Sequence, residues 1–574
     1  SPNGMVVGAS GVLNVGSLGV YTPTQGNYDS LVKNQTEAGL NSIMNSNGSA
    51  DITINGKIIS AGDVHLQGGQ VDVAKGAGII GGVNSASMSV LSSQEQANAL
   101  FSNLVNTANL TNGSDFVSNG KGQIIIKSQN GTNIHGDIVN YAKGGEYTGP
   151  SSTNHSSIEI LNYGTNGVNI TGNIANAKGL VQLDNNRGDM NVGGNIKNDG
   201  TTQIYNNPFS AFTPVDPNTG LTISGNIDTK GQLNIRNKGG KGLNISGTIN
   251  HDGNAYVQNG YLADEIGYDY QEQSKKNNTG AMNITGTFNT TGNATFLNTE
   301  HGVDGMNVSG TVNVGGKGTY TNHGAAGLNI KNNGKIVSGN GLEMLNTGNG
   351  GLNITGTAEN TGVAKVTNEA GRLTIGGTFK NNGNATVLNN GTELNVSGTV
   401  NNKNGVLDMR NNGADGFNVE ETATITANGG LKMQNYGAAG LNVNGKVDST
   451  TSAYYYNEGT AGMNLNGTIT NNGTANVLNK AGALLIGGSF TNTGDATFTN
   501  DGNNLTINGS VANNGGTLNM TNANGAFDIN GTVSNDNNTN LTNNGANGLN
   551  VNGTVTNNGG TLAMLNTGAK GLNI

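Results

Sequence analysis

GLNITGTAENTGVAKVTNEAG (residues 351–371) and GLNVNGTVTNNGGTLAMLNTG (residues 548–568) are near copies set far apart in one chain. Each opens with Gly-Leu-Asn and a β-branched residue, passes through Gly-Thr and an Asn-x-Gly break, and closes on Asn and Gly. Inside the first stretch the apolar period is two: Leu352 and Ile354 fall on one side and Asn353 on the other, and Ala364 and Val366 resume the alternation beyond Gly362. Gly and Asn interrupt every few residues and no 3.6-residue period appears, which argues against helix. The first apolar residue of the unit recurs from Val168 and Met190 through Leu352, Leu373 and Leu394 to Leu549 and Leu572. Its spacing is 21–24 residues except at two insertions, within 194–220 and 261–279. Three short strands in about 22 residues describe one coil of a right-handed parallel β-helix, an all-β solenoid in which each strand pairs with its equivalent one coil away.

Composition agrees with a fold built from small residues. With 96 Gly among 574 residues, collagen or disorder would be the ordinary reading, but Pro numbers only 6, Gly-X-Y is missing and the apolar alternation is strict. Absence of Cys excludes a disulfide framework and a thiolate metal site. A net charge of −9 without a basic stripe argues against a nucleic-acid partner. No apolar run reaches the roughly 18 residues of a membrane-spanning helix.

A second register runs beside the first. The last strand of each coil ends in Asn, from Asn162 onward through Asn346, Asn368, Asn389, Asn411, Asn435, Asn457, Asn479 and Asn500 to Asn566. Ala385, Val387 and Asn389 share a face, so this Asn points inward, where stacked amides can bond the equivalent residue of the next coil and the turn backbone. The middle Asn of Leu-Asn-Ile points outward. Asn244, Asn283, Asn307, Asn329, Asn353, Asn395, Asn418, Asn442, Asn464 and Asn550 form an external row of amides. That row reads as a solvated face, with a polar array for sugars or another filament as the alternative.

Residues 1–160 differ in style from the repetitive shaft of 161–574. Two stretches around 27–44 and 92–109 are predicted helical; in the second, Ala97, Leu100, Phe101, Leu104 and Val105 have i, i+3, i+4 spacing. Between them, residues 51–82 alternate like further coils, so the helices are expected to lie outside a β-helix and cover a sheet face. The opening Ser1-Pro2-Asn3-Gly4-Met5, followed by VVGASGVLNVGSL, resembles the Asn-Pro-Asn-Gly-Ile motif of the two-partner-secretion domain in filamentous-haemagglutinin-like exoproteins, closest to the leukotoxin-family filamentous adhesins. The resemblance covers residues 1 to about 90; Ser1 departs from the motif's Asn, and the half of the domain that precedes the motif is not in the sequence. Such a resemblance implies export as an unfolded chain through an outer-membrane transporter, a location outside the cell or on its surface, and a β-helical shaft used in adhesion or biofilm formation.

Catalysis is not expected. β-Helix enzymes gather carboxylates, Lys, Arg or His across neighbouring coils. Here His65, His135, His155, His251, His301 and His323 share no register, and no acidic pair recurs at coil spacing. The densest charged group, Asp264, Glu265, Asp269, Glu272, Lys275 and Lys276, lies in the second insertion and reads as a solvated loop. No catalytic residue, cofactor or metal is assigned, and a polysaccharide-degrading enzyme is the remote alternative. An adhesin would carry its specificity on the insertions, where Phe209, Phe212, Tyr261, Tyr268 and Tyr270 are the candidate contacts to a host surface, a neighbouring cell or a glycan. A structural filament or matrix scaffold without a receptor is the competing reading. The chain ends inside a fresh coil at Gly571-Leu572-Asn573-Ile574. Uncovered strand edges of that kind lead to the expectation of a segment from a longer exoprotein, or of end-to-end or lateral self-association.

Overall fold

A computed structural model describes residues 1–84, 120–206, 218–261, 280–299 and 304–574. The chain is a parallel β-solenoid of about 21 turns with about 22 residues per turn, and its only helices among the described residues are two short ones. It divides into two compact units: Ser1–Asp304 with Gly310–Asn313, and Gly305–Ser309 with Val314–Ile574.

In the second unit, the first quoted stretch forms three strands, Leu352–Ile354, Thr357–Asn360 and Ala364–Asn368. These are the first, second and third faces of one turn. Each strand pairs in parallel with its copy in the next turn: Leu352 opposite Leu373, Asn360 opposite Asn381, Asn368 opposite Asn389. Apolar residues therefore stack in rows, and the core is a column of Leu, Ile, Val and Met with occasional rings such as Phe379, Phe417, Phe490 and Phe527, all buried. Glycine makes the close stacking feasible. Gly351 has φ +80, and a Cβ there would lie 2.1 Å from the Arg372 carbonyl oxygen; at Gly467 it would lie 1.9 Å from that of Gly445.

The first unit repeats the pattern. Its strand Gln123–Ile134 pairs with Val64–Val73 on one side and with Ser157–Asn162 on the other, so the change of sequence style near residue 160 falls within continuous strand pairing. Met5–Val7, directly after the Ser1-Pro2-Asn3-Gly4 turn, pairs with Ile52–Ile54. The predicted helix at 27–44 is two helices, α1 (Gln25–Asn34) and α2 (Glu37–Met44). Thr36 breaks them by capping α2, its hydroxyl accepting from the Gly39 N–H at 3.0 Å. Only the carboxy end of α2 lies against the sheet, where Met44 and Asn45 line a groove with Tyr21, His65 and Gln67. α1 buries no residue and α2 only Ile43, leaving Tyr28, Val32, Leu40 and Met44 exposed. The pair is tied down at its carboxy end, where the Gln67 side-chain amide donates to the Ser46 carbonyl and the Ser49 hydroxyl to that of Thr22. The second predicted helix, 92–109, lies outside the described residues.

Candidate functional site

Two features repeat from turn to turn, an interior column of amides and a concave corner on the surface. The interior column is the one expected from parity. Asn346, Asn368, Asn389, Asn411, Asn435, Asn457, Asn479 and Asn500 are all fully buried. Asn435 shows why the position needs a carboxamide. Its Oδ1 accepts from Asn411 Nδ2 at 3.0 Å and from the Gly437 N–H at 3.3 Å, while its Nδ2 donates to Asn457 Oδ1 at 2.9 Å and to the Gly437 carbonyl at 2.7 Å. Two donors and two acceptors are used, and no other side chain of that length offers both. The column runs in the first unit from Asn162 to Asn298 and in the second from Asn322 to Asn566.

A second interior column ends the second face and was not foreseen. Asn140 donates to Asn176 and Asn176 to Asn198; Asn360, Asn381 and Asn402 form another run, and Asn471, Asn492, Asn513 and Asn535 a third. The outward row is also bonded within itself: Asn353 donates to Asn329 at 2.9 Å, Asn442 to Asn418 at 2.8 Å and Asn464 to Asn442 at 2.7 Å. It is half-buried rather than a freely solvated face.

The concave corner lies between the second face and the turn that follows it. In the first unit it is a groove of about 530 Å³ lined by three parallel rows. The outward row is Lys197, Asp228, Asn250, Asn289 and Asn313, in which Asn250 donates to Asp228 at 2.9 Å, Asn289 to Asn250 at 2.8 Å and Asn313 to Asn289 at 2.7 Å. The turn row is Asp199, Lys230, Asp252 and Thr291; Lys230 sits 2.9 Å from Asp199, and Thr291 donates to Asp252 at 2.7 Å. At the base are Asn198, Thr229, His251 and Thr290. His251 is buried, and its Nε2–H donates to the Asn254 carbonyl at 2.9 Å. Burial holds its imidazole below the usual pKa, hence neutral. The Asp199 carboxylate raises the pKa of Lys230, so that ammonium stays charged. Each of the three carboxylates thus has its own donor.

The same corner in the second unit is a smaller groove of about 340 Å³ beside Glu359, Thr361, Lys380, Asn382 and Lys403. Burial there would raise the Glu359 pKa, but Lys335 at 3.1 Å and Lys380 at 3.3 Å outweigh it and lower it. Among the described residues no three His, Cys, Asp or Glu side chains are placed to hold a metal ion, and no helix is long and apolar enough to cross a membrane.

Of the candidate partner contacts, Phe209, Phe212, Tyr268 and Tyr270 lie outside the described residues. Tyr261, expected to be exposed, is 2% exposed, with the Lys238 ammonium 5.0 Å from its ring centroid. It extends the interior at the end of a strand and is no exposed contact. Other aromatics gather on or beside strands, at the surface or half-buried. Tyr436, Tyr454 and Tyr456 cluster on adjacent turns, with ring centroids 5.4 and 6.0 Å apart and the Arg410 guanidinium 6.0 Å from Tyr436. Arg236 lies between Tyr205 and Tyr256 at 5.6 and 5.3 Å. Strand parity in the run Ser452-Ala453-Tyr454-Tyr455-Tyr456 was the available signal: Tyr455 is buried and its neighbours face out. Compared with models of protein families, with curated proteins and with solved structures, the chain matches none.

Proposed function

We propose that this chain is part of the shaft of a secreted or surface-exposed filamentous adhesin, which holds binding surfaces away from the cell in attachment or biofilm formation. One observation carries the reading: a buried amide column that is rebuilt in turn after turn from Asn162 onward, so that length is produced by repetition with few large side chains. The amino-terminal resemblance supports it, and implies an outer-membrane transporter as secretion partner. Antibody labelling of intact cells, together with an attachment assay on cells lacking the protein, tests the proposal. Surface label and loss of attachment are expected; a protein confined to the cell interior would overturn it.

A scaffold without a receptor is the second reading, favoured by the self-bonded outward amides, which offer a partner few free groups. Deleting residues 261–279 separates the two, because a scaffold keeps its cell binding and an adhesin with specificity on that insertion loses it.

A further inference from the structure

We infer that the groove of the first unit is a binding site for a linear, uncharged oligosaccharide lying along successive turns. The inference rests on the adhesin reading, for which it supplies a ligand class. At about 530 Å³ the groove falls within the span of ligand sites, roughly 300–1,000 Å³. Its lining consists of Lys, Asn, Asp, Thr and one His, with no Leu, Ile, Val, Phe, Tyr or Trp to seat an apolar peptide anchor. Amides, hydroxyls and carboxylates instead put donors and acceptors side by side, the combination that sugar hydroxyls, each both donor and acceptor, can satisfy.

Charge narrows the class. The lining holds two lysines against three aspartates, one net negative charge with His251 neutral, and Lys230 is already paired with Asp199. Sulfated or uronate chains would be repelled. Spacing gives the direction. Asp228, Asn250, Asn289 and Asn313 repeat at the strand separation of about 4.8 Å, so a chain laid along them meets an equivalent polar group at each turn. Asn250 and Asn289 each donate one Nδ2–H to the preceding turn and keep a second for a ligand hydroxyl. Because the row is carried on a paired sheet, little ordering is needed on binding.

The test is an NMR or calorimetric titration of the whole chain with neutral tetra- to hexasaccharides of glucose, galactose and mannose, and with uronate oligomers of equal length. Saturable binding of a neutral series is expected, weakened about tenfold or more by Asn289→Leu and by Thr291→Ala, whose circular dichroism should match the parent. Two variants at different rows guard against one that fails to fold. Absence of binding by every neutral series, preference for uronates, or unchanged affinity in both folded variants would overturn the inference. Unchanged affinity in the variants leaves attachment of whole cells intact, whereas a protein never found outside the cell sinks the adhesin reading and leaves the titration untouched.

Discussion

At the scale of single residues, what decides stability is whether a buried amide keeps its partners in the turns on either side. Asn389 is fully buried, accepts from Asn368 at 2.8 Å and donates to Asn411 at 2.7 Å. Asn389→Leu leaves both neighbours with unmet groups and is expected to cost about 1–3 kcal/mol in chemical denaturation. Asn395, half-buried and with no partner on its Oδ1, should cost less than about 0.5 kcal/mol when changed to Leu. Equal losses would contradict the inward and outward assignment. Asp184 is the other informative residue. Burial pushes its carboxyl up to about 6, against a smaller opposite pull from Gln182. Unfolded, the group loses its proton near pH 3.9, so unfolding between about pH 4 and pH 6 releases a proton and stability falls as pH rises through that window. Asp184→Asn should lack this fall and be more stable than the parent by about 1–2 kcal/mol at pH 7, as denaturation at pH 4 and pH 7 would show.

At the scale of strands and turns, close backbone stacking sets what can be changed. A Cβ at Gly467 would meet the Gly445 carbonyl, and Gly467→Ala is expected to destabilise by about 1–3 kcal/mol. Gly8, with open space around it, should accept Ala almost without effect; thermal unfolding of the two variants checks the contrast. This is also the scale at which the sequence was most and least readable. Asn368 and Asn389 could be placed inward because a strand with one buried face leaves no choice of parity. The same logic applied to Ala358 and Asn360, yet the Asn-x-Gly pattern there reads equally well as a turn, and the second amide column went unseen. Tyr261 was misplaced because the insertion following it suggested a loop, while the residue itself completes a buried strand end. The groove could not be read at all. Its three rows come from successive turns interrupted by the two insertions, and concavity is a property of how those turns stack.

At the scale of the whole chain, energy is distributed by repetition. Each turn touches chiefly its two neighbours, so stability is close to a sum of turn and interface terms. Removing residues 373–393, one whole turn, would bring Leu352 opposite Leu394, Asn360 opposite Asn402 and Asn368 opposite Asn411, matching every row. The shortened protein is expected to keep its β-sheet circular dichroism and to unfold with a denaturant slope reduced by about the share of surface removed. Loss of folded signal would mean that this turn carries something its neighbours cannot supply.

The bonded amides also have a polarity. In the interior columns each Nδ2 donates toward higher residue numbers, as from Asn346 to Asn368, whereas in the outward rows each donates toward lower ones, as from Asn353 to Asn329. Dipoles aligned head to tail add, as they do in a helix. Here the inner and outer stacks point in opposite senses, so lengthening either unit adds little net dipole along its axis. Growth by further turns therefore opposes one stack of dipoles with another instead of building up a single sense at the two ends of a unit.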